Sequence, residues 1–329
     1  MFRIARISLI AALTALPAAP AVVTAQGYPQ KPIRLLIPFS PGGGTDLLAR
    51  ALQDRLERAL GVGVLIDNRP GGGGTIGFTL AARAAPDGYT FLVTSASFTF
   101  APGLYKDLPY DAMKDFKPLS MLTTQPLILG VHPSMPVKSV KDLIAVARKR
   151  PKDIFYGSAG VGSNLHMTTE LFNYMARTSL VPVAYKGGGP ALVGLITGEV
   201  QVAFMGVLSS KPFRKSGQVR ALAVSTRQRS PAVPEIPTID ESGVPGYDKG
   251  GWTGMFAPAR VPDAIIDHVY QAVAKALKDP EAVRRLADDG LVAVASSPAE
   301  FTKFVADEIV EWTKLTHAMH LEKRSLKGS

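Results

Sequence analysis

The chain has 329 residues, of which 46% are hydrophobic, so it can bury a large core, and its length suggests two domains. It contains no cysteine, which excludes disulfides, thiolate metal sites, cysteine nucleophiles and lipid attachment through an N-terminal cysteine. The formal charge is +10, but no run of basic residues alternates with aromatic ones. This composition mildly favours acidic ligands and argues against nucleic acid as a partner.

The first 25 residues have the pattern of a cleavable export signal. Arg3 and Arg6 precede an apolar stretch over residues 7–16, and Val23-Thr24-Ala25 supplies the small residues of a cleavage site. The stretch is too short to span a bilayer. We therefore predict an exported, periplasmic protein whose signal peptide, residues 1–25, is cleaved near Ala25.

Short apolar runs alternate with helical patterns in the first part of the mature chain. This rhythm is typical of parallel strands joined by crossover helices. In chain order, the predicted elements are a strand at 33–37, a helix at 46–60, a strand at 62–66, a helix at 75–85 and a strand at 90–94.

A second unit of the same kind begins near Pro126. Its predicted elements are strands at 127–131, 154–156, 180–184, 200–205 and 219–224, helices at 139–149 and 163–175, and a helix opened by Pro190. A strand at 254–257 and helices at 262–277, 280–287 and 298–321 complete the chain. We predict an α/β fold of two lobes, in which residues 26–125 and 226–329 form lobe I and the inserted residues 126–225 form lobe II.

Glycine turns follow several of these strands and open the next helix. The clearest is Pro41-Gly42-Gly43-Gly44-Thr45-Asp46; two more are Gly157-Ser158-Ala159-Gly160 and Tyr185-Lys186-Gly187-Gly188-Gly189. Glycine turns have no side chains to cover their backbone N–H groups, which are therefore exposed. A helix N-terminus adds partial positive charge. Because α/β sheets bind ligands at the carboxyl ends of their strands, we predict that at least two of these turns line one anion-binding cleft.

Side chains near the turns have alternative roles that the sequence leaves open. Ser163 or Asn164 is a plausible helix N-cap. His166 either faces the cleft as a donor or caps the helix, and Asp46 either meets the ligand or caps its own helix.

Other chemistry receives weaker support. Gly72-Gly73-Gly74-Thr75-Ile76-Gly77 matches a dinucleotide-binding pattern, but the strand that follows it ends in Ser95-Ala96-Ser97 and not in the acidic residue that would hold a ribose.

His317 and His320 have no third metal ligand nearby, so we predict no metal site and no cofactor. The alternative function is an exported serine hydrolase that uses Ser158 or Ser163 with His166, although no Gly-x-Ser-x-Gly motif occurs and no acidic residue is placed to orient the histidine.

Motifs along nearly the whole mature chain resemble the Bug-type solute-binding proteins of the tripartite tricarboxylate transporter family. The matching segments, in order, are Tyr28-Pro29, Lys31-Pro32-Ile33, Pro41-Gly42-Gly43-Gly44-Thr45-Asp46, Asp67-Asn68-Arg69-Pro70-Gly71-Gly72-Gly73-Gly74, Pro86-Asp87-Gly88-Tyr89-Thr90, Leu108-Pro109-Tyr110-Asp111, Tyr156-Gly157-Ser158-Ala159-Gly160, His166, Tyr185-Lys186-Gly187-Gly188, Leu222-Ala223-Val224-Ser225 and Trp252. The tail 316–329 departs from the family's usual end.

The resemblance implies a type II periplasmic-binding-protein fold, with two α/β lobes that close on a small carboxylate. It implies a non-enzymatic receptor, a monomer, that serves inner-membrane transporter subunits or a sensor. Carried over by position, the expected ligand-binding residues are Phe39, Ser40, Gly43, Gly44, Thr45, Asp46 and Ser95 in the first lobe and Ser158, Gly160, Ser163, His166, Tyr185 and Lys186 in the second.

Overall fold

The computed structural model describes residues 27–321 and 323–326; the proposed signal peptide therefore lies outside the described residues. These residues form eleven strands, in chain order β1 (Ile33–Ile37), β2 (Val64–Asn68), β3 (Thr90–Ser95), β4 (Phe116–Gln125), β5 (Leu127–Val131), β6 (Phe155–Ser158), β7 (Val181–Ala184), β8 (Val202–Gly206), β9 (Arg220–Val224), β10 (Gly251–Pro258) and β11 (Val292–Ala293).

Ten α-helices connect and cover the strands within the described residues. They are α1 (Gly44–Leu60), α2 (Thr75–Ala82), α3 (Ser97–Leu104), α4 (Val140–Lys149), α5 (Asn164–Ala176), α6 (Gly188–Ile196), α7 (Val207–Lys215), α8 (Asp263–Lys278), α9 (Pro280–Asp288) and α10 (Pro298–Ala318). In the part of the chain that the structure describes, none of them combines the length and the apolar character needed to cross a bilayer.

The strands form two sheets. The first has the order β11-β4-β10-β3-β1-β2, and the second has the order β7-β6-β8-β5-β9. In the first sheet, β1 is parallel to β2 and β3, whereas β10 is antiparallel to β3 and β4. In the second, β6 is parallel to β7 and β8. The carboxyl ends of the parallel strands therefore share one edge in each sheet, and the helix starts lie at that edge.

The first strand–helix unit shows how the sequence produces these elements. Ile33 and Leu35–Ile37 are buried because β1 is paired on both sides. Leu48, Leu52, Leu56 and Leu60 recur at helical spacing on the buried face of α1. The helix ends at Gly61, whose φ of 74° permits the left-handed cap that closes onto the carbonyl of Glu57.

The chain passes between the sheets twice, first at Gln125-Pro126, between β4 and β5. After β9 it stays on the second sheet for a further stretch: Thr238 bridges Val224, and the Tyr247 hydroxyl donates to the carbonyl of Thr168 at 2.9 Å. We therefore propose that the second crossing lies near Lys249, beyond the boundary that the sequence predicts at residue 225. The lobe boundaries remain a prediction.

Candidate ligand-binding site

A cavity of about 70 Å³ lies between the two sheets. Its lining residues are Phe39, Gly43, Gly44, Thr45, Ser95, Gln125, Leu127, Ala159, Ser163, Asn164, Leu165, Gly188, Met205, Gly206 and Ser209. Both lobes contribute to it, and the crossing at Gln125 forms part of its wall. Among the described residues that line it, none carries an ionisable side chain.

The lining residues cluster at the N-terminal ends of five helices. Gly43 and Gly44 begin α1, Ser163 and Asn164 begin α5, and Gly188 begins α6. Gly206 is the N-cap of α7, and Ser95 closely precedes α3. The first backbone N–H groups of a helix have no partner within it, and the aligned peptide dipoles add about half a positive charge at each start. Together they make a site for negative oxygen atoms without any basic side chain.

The first-lobe residues predicted to bind ligand divide into two groups. Phe39, Gly43, Gly44, Thr45 and Ser95 line the cavity. The hydroxyl of Ser40 instead donates to the carbonyl oxygen of Lys186 in the second lobe, at 2.7 Å.

Asp46 belongs to a network that holds the β1–α1 turn. Its carboxylate accepts hydrogen bonds from the backbone N–H of Gly42 at 2.9 Å, Nε of Arg50 at 3.0 Å and Nδ2 of Asn68 at 3.1 Å. Asn68 also donates to the carbonyl of Phe39 at 2.9 Å. Burial pushes the pKa of Asp46 upward, but the hydrogen bonds from Arg50, Gly42 and Asn68 outweigh it and hold that pKa below its usual value.

Of the second-lobe residues predicted to bind ligand, Ser163 lines the cavity. Gly160 faces the first lobe, since a Cβ there would lie 3.0 Å from the backbone nitrogen of Gly73. The ring of Tyr185 packs on an apolar cluster of its own lobe, and Lys186 reaches the first lobe through its carbonyl oxygen. Whether these residues contact the ligand stays a prediction.

Ser158 and His166 are buried and are engaged within their own lobe. The Ser158 hydroxyl donates to the carbonyl of Val183 at 3.3 Å, and the Ser163 hydroxyl caps α5 by accepting the backbone N–H of His166 at 3.2 Å. Nδ1 of His166 accepts the backbone N–H of Gly162 at 3.4 Å. Each of these groups thus has a backbone partner, an arrangement that supports the turn and the helix start more directly than it supports proton transfer between serine and histidine.

The burial of His166 has a measurable consequence. Burial, and secondarily the positive charge of Arg324, lower the pKa of His166 to about 4. The unfolded chain therefore takes up this proton first as the pH falls from 6.5 towards 4, which costs the folded state stability in that range. The free energy of unfolding of the wild-type protein should fall between pH 7.5 and pH 4.5. We expect this fall to be about 2–3 kcal/mol smaller in His166→Gln, which has no imidazole to protonate. Urea unfolding of both proteins at the two pH values measures this difference. An equal loss of stability in the two proteins would contradict the prediction.

Glycines bring the two lobes into backbone contact around the cavity. A Cβ on Gly73 would overlap the carbonyl oxygen of Val161, and one on Gly187 would lie 3.0 Å from the nitrogen of Ser40. The nitrogen of Ser40 donates to the carbonyl of Lys186 across this seam, at 3.2 Å. Gly73 belongs to the segment that resembles a dinucleotide-binding motif, and close approach of the second lobe accounts for a glycine at its position. The structure is therefore a closed arrangement of the lobes.

Nine lining residues are absent from the predicted ligand-binding set. Four of them, Ala159, Asn164, Leu165 and Gly188, lie in or beside the predicted turns, whereas the other five, Gln125, Leu127, Met205, Gly206 and Ser209, were missed altogether. Met205 and Gly206 end β8 and lead directly into α7, which is another strand–glycine–helix junction. That signal was present in the sequence, but α7 was not predicted because Pro212 interrupts its pattern.

Comparison with known proteins agrees with this architecture. The family model described as "Tripartite tricarboxylate transporter family receptor" matches residues 48–321. Protein BugT of Bordetella pertussis is 36% identical over 294 residues, which cover 89% of this chain and 90% of that protein.

Solved structures show the same fold. The periplasmic binding protein BugD matches with a TM-score of 0.87 and 31% identity, over 90% of this chain and 100% of BugD. Rpa4515 of R. palustris, solved with adipate, matches with a TM-score of 0.87 and 35% identity over the same shares of the two chains. MatC of Rhodopseudomonas palustris, solved with malate, matches with a TM-score of 0.84 and 31% identity, over 88% of this chain and 99% of MatC. The chain therefore belongs to the tripartite tricarboxylate transporter receptor family, as a Bug-type solute-binding protein with a periplasmic-binding-protein fold.

Proposed function

We propose that this chain is an exported receptor that captures a small carboxylate between its lobes and delivers it to the membrane subunits of a tripartite tricarboxylate transporter. The observation that carries the proposal is the convergence of five helix N-termini on a cavity whose lining residues are all uncharged. Backbone N–H groups at such positions bind carboxylate oxygens. The adipate and malate bound to Rpa4515 and MatC support the same ligand class.

The strength of such contacts is sufficient for a transport receptor. A hydrogen bond to a charged group contributes about 1.5–3 kcal/mol. Micromolar affinity requires about 8 kcal/mol, so a few bonds of this kind suffice even after the cost of ordering the ligand and closing the lobes.

Thermal unfolding of the mature protein against a library of small carboxylic acids tests the ligand class. A ligand that binds only the folded protein raises its Tm by mass action. The matched control for each acid is its primary amide, which has nearly the same shape and no charge. Acids that raise the Tm while their amides do not support the proposal; equal shifts from both members of each pair would contradict it.

The hydroxyl of Thr45 offers a sharper test within the cavity. Thr45 is the second residue of α1 and lines the cavity, so Thr45→Val keeps the shape and removes one hydrogen-bonding group. We expect the dissociation constant for the best acid to rise by about tenfold, with a small change in Tm of the free protein. Isothermal titration measures it. An unchanged dissociation constant in Thr45→Val would place the ligand elsewhere.

A further inference from the structure

A second and larger cavity, of about 460 Å³, lies beside the hinge. Trp252 and Phe304 form an aromatic part of its wall, with ring centroids 5.7 Å apart in an edge-on arrangement. Leu291 and Val292 extend the apolar surface, and Val292 is 59% exposed. Its volume lies within the range of small-molecule sites, and its lining is suited to an apolar body.

The walls of this hinge pocket come from both lobes. Gln125, Pro126 and Gly250 supply the two crossings, Thr226 and Pro231 come from the segment after β9, and the residues around β11 come from the first lobe. Its shape therefore depends on the angle between the lobes.

The hinge pocket also shares a wall with the ligand cavity. Gln125 lines both of them. A Cβ on Gly251, which lines the hinge pocket, would lie 3.1 Å from Nδ2 of Asn164, which lines the ligand cavity. A molecule in one site is thus separated from the other by single side chains.

Two cations, Arg229 and Lys249, and two carboxylates, Asp248 and Glu308, line the hinge pocket. The Arg229 guanidinium is paired with Glu241 at 2.9 Å, so Lys249 is the donor considered for the ligand. Oε2 of the half-buried Glu308 already accepts hydrogen bonds from Trp252 and from Thr99, each at 2.8 Å. Asp248 accepts the backbone N–H of Arg227. Lys249, whose side chain is only 19% exposed, donates to Glu311 at 2.7 Å, and its ammonium group has three hydrogens to donate.

We propose that the hinge pocket is a second ligand site, for an amphipathic anion with an aromatic body and one acidic head, and that its occupation is coupled to closure of the lobes on the carboxylate. The aromatic body would lie on Trp252 and Phe304, and the head would accept a hydrogen bond from Lys249. Because both lobes form its walls, we take the pocket to fit its ligand better in the closed arrangement than in an open one; linkage then requires each ligand to tighten the other. The coupling rests on the proposed function, whereas the binding does not.

Two fluorescent probes with the same aromatic body test the chemistry of the site. 1-Anilinonaphthalene-8-sulfonate carries an anionic head, and N-phenyl-1-naphthylamine lacks it. We expect both to bind the mature protein saturably with one site per chain. Lys249→Met should lower the affinity for the sulfonate by about tenfold and change the affinity for the uncharged probe by no more than about twofold. Equal losses for both probes would mean a structural effect and would overturn the role of Lys249.

Blocking the hinge pocket tests the location. Ala287 lines it and is exposed on α9, so Ala287→Phe should abolish the binding of both probes with little loss of Tm. Leu65→Phe, at an exposed position on β2 away from the hinge pocket, is the matched control. Unchanged binding in Ala287→Phe, or no saturable binding by the wild-type protein, would overturn the site.

The coupling is measured by repeating the sulfonate titration with a saturating carboxylate from the thermal screen. We expect the sulfonate to bind at least threefold more tightly under that condition. An unchanged or weaker affinity would overturn the coupling and leave the site standing. If the screen yields no carboxylate, the proposed function fails, and the probe titrations with Ala287→Phe still decide whether the site exists.

Discussion

Gly73→Ala should yield a folded receptor that closes less favourably on its ligand. Gly73 has a φ of 63°, and a Cβ at this position would overlap the carbonyl oxygen of Val161 in the opposite lobe. Relieving such overpacking within the closed form costs about 1–3 kcal/mol, while the open form avoids it by separating the lobes. We therefore expect the affinity for the carboxylate to fall by roughly 10- to 100-fold. Isothermal titration measures the affinity, and small-angle scattering shows whether ligand still reduces the radius of gyration.

Gly61→Ala is the matched control for backbone strain. Gly61 has a φ of 74°, and a Cβ there would meet no atom within 4 Å. Both substitutions place alanine in the left-handed region, at a similar cost of about 1 kcal/mol. Only the variant at position 73 should lose ligand affinity. If both bind as tightly as the wild-type protein, the seam between Gly73 and Val161 does not govern closure.

Asp46→Ala should weaken both the fold and the site, although the side chain is not part of the cavity lining. Its carboxylate ties together the turn at Gly42, the helix at Arg50 and the strand at Asn68. Removing it deletes three partly buried hydrogen bonds, one of them from the charged Arg50, so we expect the free energy of unfolding to fall by about 2 kcal/mol. The amides of Gly43 and Gly44 then lose their fixed positions, and the carboxylate affinity should fall by about tenfold.

The pH dependence separates this role from general destabilisation. The pKa of Asp46 is lowered in the folded state, so its contribution is complete above the unfolded value near 3.8 and is lost as the pH falls through the folded value. The stability difference between wild type and Asp46→Ala should therefore be constant at neutral pH and shrink below pH 3.8. Asp54→Ala, at an exposed aspartate of the same helix, is the control. A difference that persists at low pH would assign the loss to packing and not to the carboxylate.

Local pattern was enough to predict the elements that lie next to the site. Residues 33–37 were predicted as a strand and form β1, because an uninterrupted apolar run bounded by a glycine turn has few other structures available. The helix after it was predicted from the spacing of its leucines. The turn between them was predicted as an anion site, and Gly43, Gly44 and Thr45 do line the cavity.

Elements without a clear period were missed. Of the eight residues of α3, seven are buried, and the helix contains Pro102, so its sequence shows neither an amphipathic face nor a helical composition. β4 contains Pro118 and is buried almost throughout, which removes the alternation that identifies a strand. In both cases tertiary packing decides the structure.

The partners of individual side chains were the least predictable part of the site. The sequence left Asp46 open between ligand contact and capping because its partner Asn68 comes from a different strand. Gly160 and Gly187 were interpreted as turn residues that expose backbone amides, and Gly73 as part of a segment that matches a dinucleotide-binding pattern. In the structure all three let the two lobes approach each other. Such contacts depend on the relative position of the lobes, which no local pattern encodes.

A cavity lined by neutral residues also determines how acidity acts on uptake. None of the described residues that line the cavity carries an ionisable side chain, so the lining itself contributes no proton when the cargo binds. Binding at mildly acidic pH should then follow the ionisation of the ligand. Each carboxylic acid should stay bound at pH values above its own pKa and be released at lower pH. The pH below which binding is lost would therefore differ from one ligand to the next in the same protein.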